Sequence, residues 1–489
     1  MSLRNVASVV GLLLAFVGLS MLSAVGVSLI YGDGAALPLL LAATATAGVG
    51  FGVYRGTGVE GDLSLREGYA IVTFAWVATG VFGALPYLFT GVIDSFWGAV
   101  FESMSGFTTT GATIFADIEA LPEGILFWRA LTHWLGGMGI IVLAVAILPY
   151  LGVGGMQLFK AEVPGPTPER LRPRITQTAK LLWLVYLGMT AAQILLYLPG
   201  GMSLFDAVTH TFATLATGGF STKNASMGHF QSPYIQYVTI LFMYLAGVNF
   251  TLHFRAATGR LDYLRDVEWR FFTGVILGAA GILVAVNLAT GTYALSDLEV
   301  TVRDSLFTAV SLTTTTGFVT ADFEGWANGT QMVLFALLFV GGMAGSTGGG
   351  VKAVRVLLLL KQSGMELRKH LHPRAVLLAR VGRHVVPEHV LANVIGFVIL
   401  YLLLLLAGAA ALGFLGIDPL TALGASAATV GNIGPGLGAV GATDNYGWMS
   451  GPALAILSFL MVVGRLEIYT VLLLFLPETW KRRSRRVTR

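Results

Sequence analysis

Ten stretches of this 489-residue chain are long and apolar enough to cross a bilayer, at about 6–30, 36–54, 68–91, 123–150, 176–199, 233–255, 271–291, 329–360, 387–414 and 451–477. A spanning helix needs roughly 20 mostly apolar residues, so these runs leave no room for a sizeable soluble domain. With 55% hydrophobic and 11% charged residues and a mean hydropathy of +0.76, a soluble fold would expose large apolar patches. The expected fold class is therefore an all-α polytopic membrane protein. The first run, Val6 to Ile30, is longer than the apolar core of a signal peptide and is followed at once by another, so it reads as a retained span. The chain has no cysteine, which excludes disulfides and thiolate metal sites.

The segments between the runs alternate in charge. One set is basic: Arg55 and Arg66; Lys160 through Arg170, Arg172, Arg174 and Lys180; Arg255 to Arg270; Lys361 to Arg383; and the tail from Lys481 to Arg486. The other is poor in basic residues and mildly acidic: Asp33, Asp117 and Glu119, Asp297 and Glu299, Asp322 and Glu324, and Asp444. The positive-inside rule places the basic set and both termini in the cytoplasm, and an even number of spans requires the same. This is expected of a multi-pass protein of the cell (inner) membrane. The basic tail reads as an anchor on anionic lipid, with no nucleic-acid partner.

Four segments between spans align without gaps: GAVFESMSGFTTTGA (98–112), DAVTHTFATLATGGF (206–220), DSLFTAVSLTTTTGF (304–318) and DPLTALGASAATVGN (418–432). A glycine stands 13 residues after the first residue of each, at Gly111, Gly219, Gly317 and Gly431, with threonine clustered just before it. Each segment lies on the outer side, and its opening dozen residues suffice for a short helix that enters the membrane and stops. The unit is thus span, half-helix, loop, span, repeated four times. Non-helical backbone at membrane depth survives only when buried in protein or lining a wet cavity. Four such loops can converge on one axis.

Rings of backbone carbonyls from four loops can replace the water of a dehydrated monovalent cation. Glycine permits the backbone turn that aims carbonyls at the axis, and threonine adds hydroxyl oxygens without charge. No carboxylate lies in the threonine–glycine stretches that end the four segments, which argues against a divalent-cation filter. Small residues that merely let helices pack would explain any one Thr-Gly pair, but not four at one spacing.

SGFTTTGAT (105–113), ATGGFST (216–222), TTTTGF (313–318) and GNIGPG (431–436) resemble the filter motifs of the Trk/Ktr/HKT superfamily of potassium transporters. The likeness is greatest to its TrkH-type membrane subunits and covers essentially the whole chain. It implies K+ as the transported ion, with no organic cofactor. The filter it implies comprises Thr109, Thr110 and Gly111; Thr217, Gly218 and Gly219; Thr315, Thr316 and Gly317; and Thr429, Val430, Gly431 and Asn432. In the superfamily, a serine at the first filter glycine goes with sodium permeation; Gly111 points to potassium. Val430 and Asn432 set the fourth loop apart and break exact fourfold symmetry.

The resemblance further implies a homodimer of pores and a cytosolic nucleotide-binding regulatory ring subunit of TrkA type. Two extra N-terminal spans (1–67) would precede repeats at 68–175, 176–266, 267–384 and 385–489, the last with the basic tail.

The run Gly341-Gly342-Met343-Ala344-Gly345-Ser346-Thr347-Gly348-Gly349-Gly350 must break the closing span of the third repeat, since each glycine costs a helix about 0.8–1 kcal/mol relative to alanine. Its glycines and Lys352 do not form a Walker motif. By resemblance, Gly345, Ser346, Thr347, Gly348, Gly349 and Gly350 form an intramembrane gate below the filter, where broken helices mark the pathway. Arg465, in the closing span of the fourth repeat, is a charge at membrane depth and so points to function. The resemblance makes it a positive barrier beside the pore. The alternative is a structural pairing or snorkelling role, though two helix residues apart, Arg465 and Glu467 do not face one another. Arg129, His133, Asn249 and His253 read as helix–helix hydrogen-bond partners.

A solute-coupled transporter would carry broken helices in paired halves, and a membrane enzyme a metal-ligand cluster or a nucleophile with its base. Four pore loops and one glycine-broken span favour a channel-like pore over both.

Overall fold

A computed structural model describes residues 1–58, 63–146, 171–374, 377–382 and 384–480. The basic segment Lys160–Arg170, Arg383 and the tail from Lys481 lie outside the described residues. Two long helices, α1 (Leu3–Tyr31) and α2 (Ala36–Thr57), pack along each other as a hairpin. Gly11, Gly18 and Gly50 allow this, because a methyl on Gly18 would lie 2.4 Å from the Ala47 amide of the facing helix.

The pattern that follows recurs four times. α3 (Leu65–Phe82) and α4 (Leu85–Thr90) lead to a short helix, α5 (Phe96–Phe107), and back through α6 (Glu123–Ala146). Next come α7 (Leu171–Tyr197), the short α8 (Leu204–Leu215), α9 (Pro233–Gly247) and α10 (Phe250–Ala257). The third passage is α11 (Val267–Ala289), α12 (Leu298–Thr313), α13 (Asn328–Leu337) and α14 (Ala353–Leu371). A two-residue hairpin of β1 (Arg380–Val381) and β2 (His384–Val385) precedes α15 (Glu388–Phe414). The chain ends with the short α16 (Pro419–Gly431), then α17 (Gly451–Arg465), α18 (Tyr469–Leu472) and α19 (Pro477–Trp480).

Six helices are long and apolar enough to span a bilayer alone, and two bent pairs bring the number to eight among the described residues. The bends are 105° between α9 and α10 and 109° after α17. Of the ten expected spans, two are not among these eight, for identifiable reasons. The run 329–360 is split, because its glycines leave α13 ending at Leu337 and α14 starting at Ala353. The run 123–150 is helical to Ala146, beyond which the described residues stop.

The polarity of the molecule is inverted relative to a soluble domain. Leu12, Phe16 and Leu19 of α1 and Ile399, Leu402 and Leu406 of α15 are exposed, whereas Thr108, Thr109, Thr110, Thr217, Thr315, Thr316 and Asn432 are buried. Lipid solvates the first set. The second lies where the short helices α5, α8, α12 and α16 end.

Candidate functional site: four loops on one axis

Side-chain caps start three of the short helices: Ser95 accepts from the Gly98 amide, Ser203 from Asp206 and Asp418 from Thr421, at 3.1, 3.0 and 3.1 Å. All four helices end alike. The Thr110, Gly218, Thr316 and Ile433 amides each donate back to a carbonyl five residues earlier, at 2.8–2.9 Å. The preceding residue is in the left-handed region every time: Thr109 (φ 52°), Thr217 (54°), Thr315 (60°) and Asn432 (53°). Non-glycine residues avoid that region at a cost of roughly 1–2 kcal/mol, so tertiary packing holds them there.

Two residues further on, Gly111 (φ 82°), Gly219 (82°), Gly317 (79°) and Gly434 (95°) turn the chain outward. A methyl on Gly111 would lie 2.0 Å from the Gly218 carbonyl oxygen, on Gly219 2.1 Å from that of Thr316, on Gly317 2.1 Å from that of Ile433, and on Gly434 2.7 Å from that of Thr110. The sequence of contacts closes on itself. Four carbonyls and four glycines form a ring, and one small polar cavity is lined by all four glycines.

The fourth loop corrects the sequence alignment. Thr429, Val430 and Gly431 lie within α16, and the ring position is taken by Asn432, Ile433 and Gly434. Asp206 and Asp304 lie inside their helices, so Asp418 is not their counterpart. Asp418 is the cap of its helix and corresponds to Ser95 and Ser203. Sixteen residues separate Ser95 from Gly111, Ser203 from Gly219 and Asp418 from Gly434. Helix-cap chemistry was the signal available in the sequence.

Behind the first two loops lies a buried pair that sequence reasoning left out of the site. Arg129 Nε is 2.9 Å from Glu102 Oε1, and both side chains are at most 2% exposed. The Glu102 carboxylate also accepts from the Thr113 hydroxyl and, at 2.9 Å, from the Ile114 amide. Arg129 Nη1 donates to the Ser221 carbonyl at 3.1 Å. One ion pair thus ties the exit of the first loop to that of the second. His253, by contrast, bonds Tyr263 Oη and the Leu245 carbonyl, away from the ring.

On the other side of the ring, residues 338–352 form the break between α13 and α14. The Thr347 hydroxyl donates to the Leu215 carbonyl at 2.9 Å and the Ala246 carbonyl at 3.1 Å, and the Gly349 amide donates to the Thr315 hydroxyl at 2.6 Å. Methyls on Gly348 and Gly349 would lie 3.1 Å from the Thr314 oxygen and 2.7 Å from the Gly431 oxygen. The loop is therefore pressed against the last carbonyls of three short helices. Such C-terminal carbonyls carry about half a negative charge per helix and attract cations. Arg465 Nη1 donates to the Thr347 carbonyl at 2.9 Å, while Lys352 Nζ donates to the Gly348 carbonyl. Glu467 pairs with Arg355 and not with Arg465. The loop is held from below by Glu268, whose carboxylate accepts from the Ala344 amide at 2.8 Å.

A polytopic helical protein whose four loops meet in a ring, with a glycine-rich loop packed behind it, has the architecture of a membrane transport protein. The sequence profile of the TrkH cation transport protein family matches residues 49–482, and the chain belongs to that family, a family of transporters and not of enzymes. It is 42% identical to the Trk system potassium uptake protein TrkH of Halomonas elongata over 489 residues, 99% of this chain and all of that one. It is also 42% identical to the Trk system potassium uptake protein TrkH of Escherichia coli, over 98% of this chain and all of that one. The crystal structure of the potassium transporter TrkH from Vibrio parahaemolyticus superposes with a TM-score of 0.91 at 39% identity, covering 98% of this chain and all of that one.

Proposed function

We propose that this chain carries potassium into the cell through a channel-like pore, with the four-loop ring as selectivity filter and residues 345–350 as its gate. The single observation that carries the reading is that four left-handed glycines line one cavity while a glycine-rich loop caps the helix ends directly behind them. The ring supplies uncharged oxygens from Thr110, Gly218, Thr316 and Ile433, suited to a cation that sheds its water and leaves again. Thr109, Thr217, Thr315 and Asn432 contribute the positions just below. Arg465, at Thr347, is the positive barrier of the gate.

In this reading the pore is built from four pseudo-symmetric units at 68–175, 176–266, 267–384 and 385–489, after the extra spans of 1–67. It works in the inner membrane as a homodimer, with both termini cytoplasmic. A nucleotide-binding ring subunit of TrkA type docks on the basic cytoplasmic loops, among them the segment from Lys361. The relatives' names support potassium uptake within a Trk system, and the charge distribution supports the orientation. Purified protein in liposomes tests it: potassium flux should exceed that of empty vesicles, exceed sodium flux, and rise when 345–350 is shortened. Flux indifferent to the cation and to the loop would overturn the reading.

A further inference from the structure

The four loops are not braced in the same way. In the first, the Thr108 and Thr110 hydroxyls bond each other across the left-handed residue at 2.7 Å. In the third, Thr314 and Thr316 repeat that clip at 2.8 Å. In the fourth, Ile433 folds its side chain over Gly431, whose methyl would lie 2.9 Å from Ile433 Cδ1. The second loop has Ala216 and Gly218 at these places and so has neither clip nor apolar cover. A bare Gly218 peptide has more backbone freedom than its counterparts Thr110, Thr316 and Ile433.

α6 fills the gap. A methyl on Gly218 would lie 2.4–2.6 Å from three ring atoms of His133, and one on Gly137, one turn along the same face, 2.8 Å from Ala216 Cα. His133 is fully buried and stacks on Phe220 at 4.1 Å between centroids. Its contact with Gly218 is one of shape, ring against backbone.

The closing helices of the other units show what is unusual here. Gly464 abuts the Val430 carbonyl as Gly136 abuts that of Phe107, and Gly247 abuts Thr314 as Gly137 abuts Ala216. By these contacts, the counterparts of His133 are Met461 and Met243, both buried. A methionine stands in the units whose neighbouring loops have threonine clips, and an imidazole in the unit whose neighbouring loop has glycine.

We infer that His133 is a positioning residue of the ion filter, its ring replacing the missing side chain of Gly218 and fixing the Gly218 carbonyl for cation discrimination. This rests on the four-loop ring being the filter. His133→Ala should lower the potassium-to-sodium flux ratio in liposomes by about tenfold, the equivalent of roughly 1.4 kcal/mol of discrimination, with total cation flux maintained. A loss of packing that merely destabilised the fold would lower both fluxes together.

Two further variants make the test specific. Gly218→Thr alone should destroy selectivity, because its Cβ meets the imidazole. The triple change His133→Met, Ala216→Thr, Gly218→Thr copies the first and third loops and should recover most of the wild-type ratio. Gly219→Ser serves as the filter control. If His133→Ala keeps the wild-type ratio while Gly219→Ser lowers it, the filter stands and this inference falls. If neither moves the ratio, the filter reading fails and takes this inference with it. Should His133→Ala not fold, a triple variant no more selective than Gly218→Thr alone overturns the proposal.

Discussion

Arg465 Nη1 donates to the carbonyl of Thr347 across 2.9 Å, from a side chain only 3% exposed. Arg465 directly follows Gly464, just as the glycine Gly137 follows Gly136 in α6. A guanidinium therefore stands at a position that a glycine occupies in the first unit, and it grips the middle of the loop beneath the ring.

Removing that grip should open the pathway. A hydrogen bond to a charged group contributes about 1.5–3 kcal/mol, and a fixed charge about 8 Å from a cation at an effective dielectric of 20 raises its energy by about 2 kcal/mol. Arg465→Ala should accordingly raise potassium flux by about an order of magnitude, and Thr347→Val, which removes the hydroxyl's bonds to the Leu215 and Ala246 carbonyls, should raise it less. Liposome flux of each variant and of the pair measures this. Well-folded variants that conduct no faster than wild type would return Arg465 to a structural role.

The corrected alignment of the fourth loop separates two glycines three residues apart. Gly434 has φ 95° and faces the Thr110 carbonyl, so Gly434→Ala strains the backbone and pushes into the ring. Gly431 lies in α16 at the place of Thr108, Ala216 and Thr314, all of which carry side chains. Gly431→Ala should keep the potassium-to-sodium ratio, and Gly434→Ala should abolish discrimination. Equal effects on the ratio would restore the original alignment.

Gly317→Ser tests the ring from the third loop. A Cβ there would lie 2.1 Å from the Ile433 carbonyl oxygen at φ 79°, so that oxygen must move. Relative sodium permeation should increase severalfold, read as the ratio of sodium to potassium uptake in the same vesicles. An unchanged ratio in folded protein would place the filter elsewhere.

The Glu102–Arg129 pair predicts a stability effect. Removing one partner of a buried pair strands the other charge, at about 3–5 kcal/mol. Glu102→Gln retains the shape and the contacts to Thr113 and Ile114 but loses the charge beside Arg129. Thermal unfolding in detergent should shift down clearly, and more than for Asp206→Asn, whose carboxylate is bonded to Thr222 and Ser203 near the surface. Equal midpoints would show that Arg129 finds compensation elsewhere.

The membrane fold, the four short re-entrant segments and the glycine break were legible in the sequence because each is a local pattern. Apolar length, a threonine–glycine cluster and a helix-incompatible run act within a few turns of chain. Three of the four ring glycines came from spacing alone, and the break at 341–350 from its run of glycines. Gly434 was displaced because an aspartate can cap a helix or sit inside it, and the hydrogen bond from the Thr421 amide to Asp418 shows that Asp418 is a cap.

What tertiary structure decided was which groups face one another. The sequence presents Arg465 and Glu467 as neighbours, yet the bend after α17 sends Glu467 to Arg355 and leaves Arg465 to Thr347, 118 residues away. Arg129 and His133 read as ordinary polar residues of a span until α6 is placed against the first two loops. Composition and periodicity determine which segments enter lipid and where helices must stop. The pairing of buried charges and the bracing of the ring depend on contacts between segments far apart in the chain, and no local pattern encodes those.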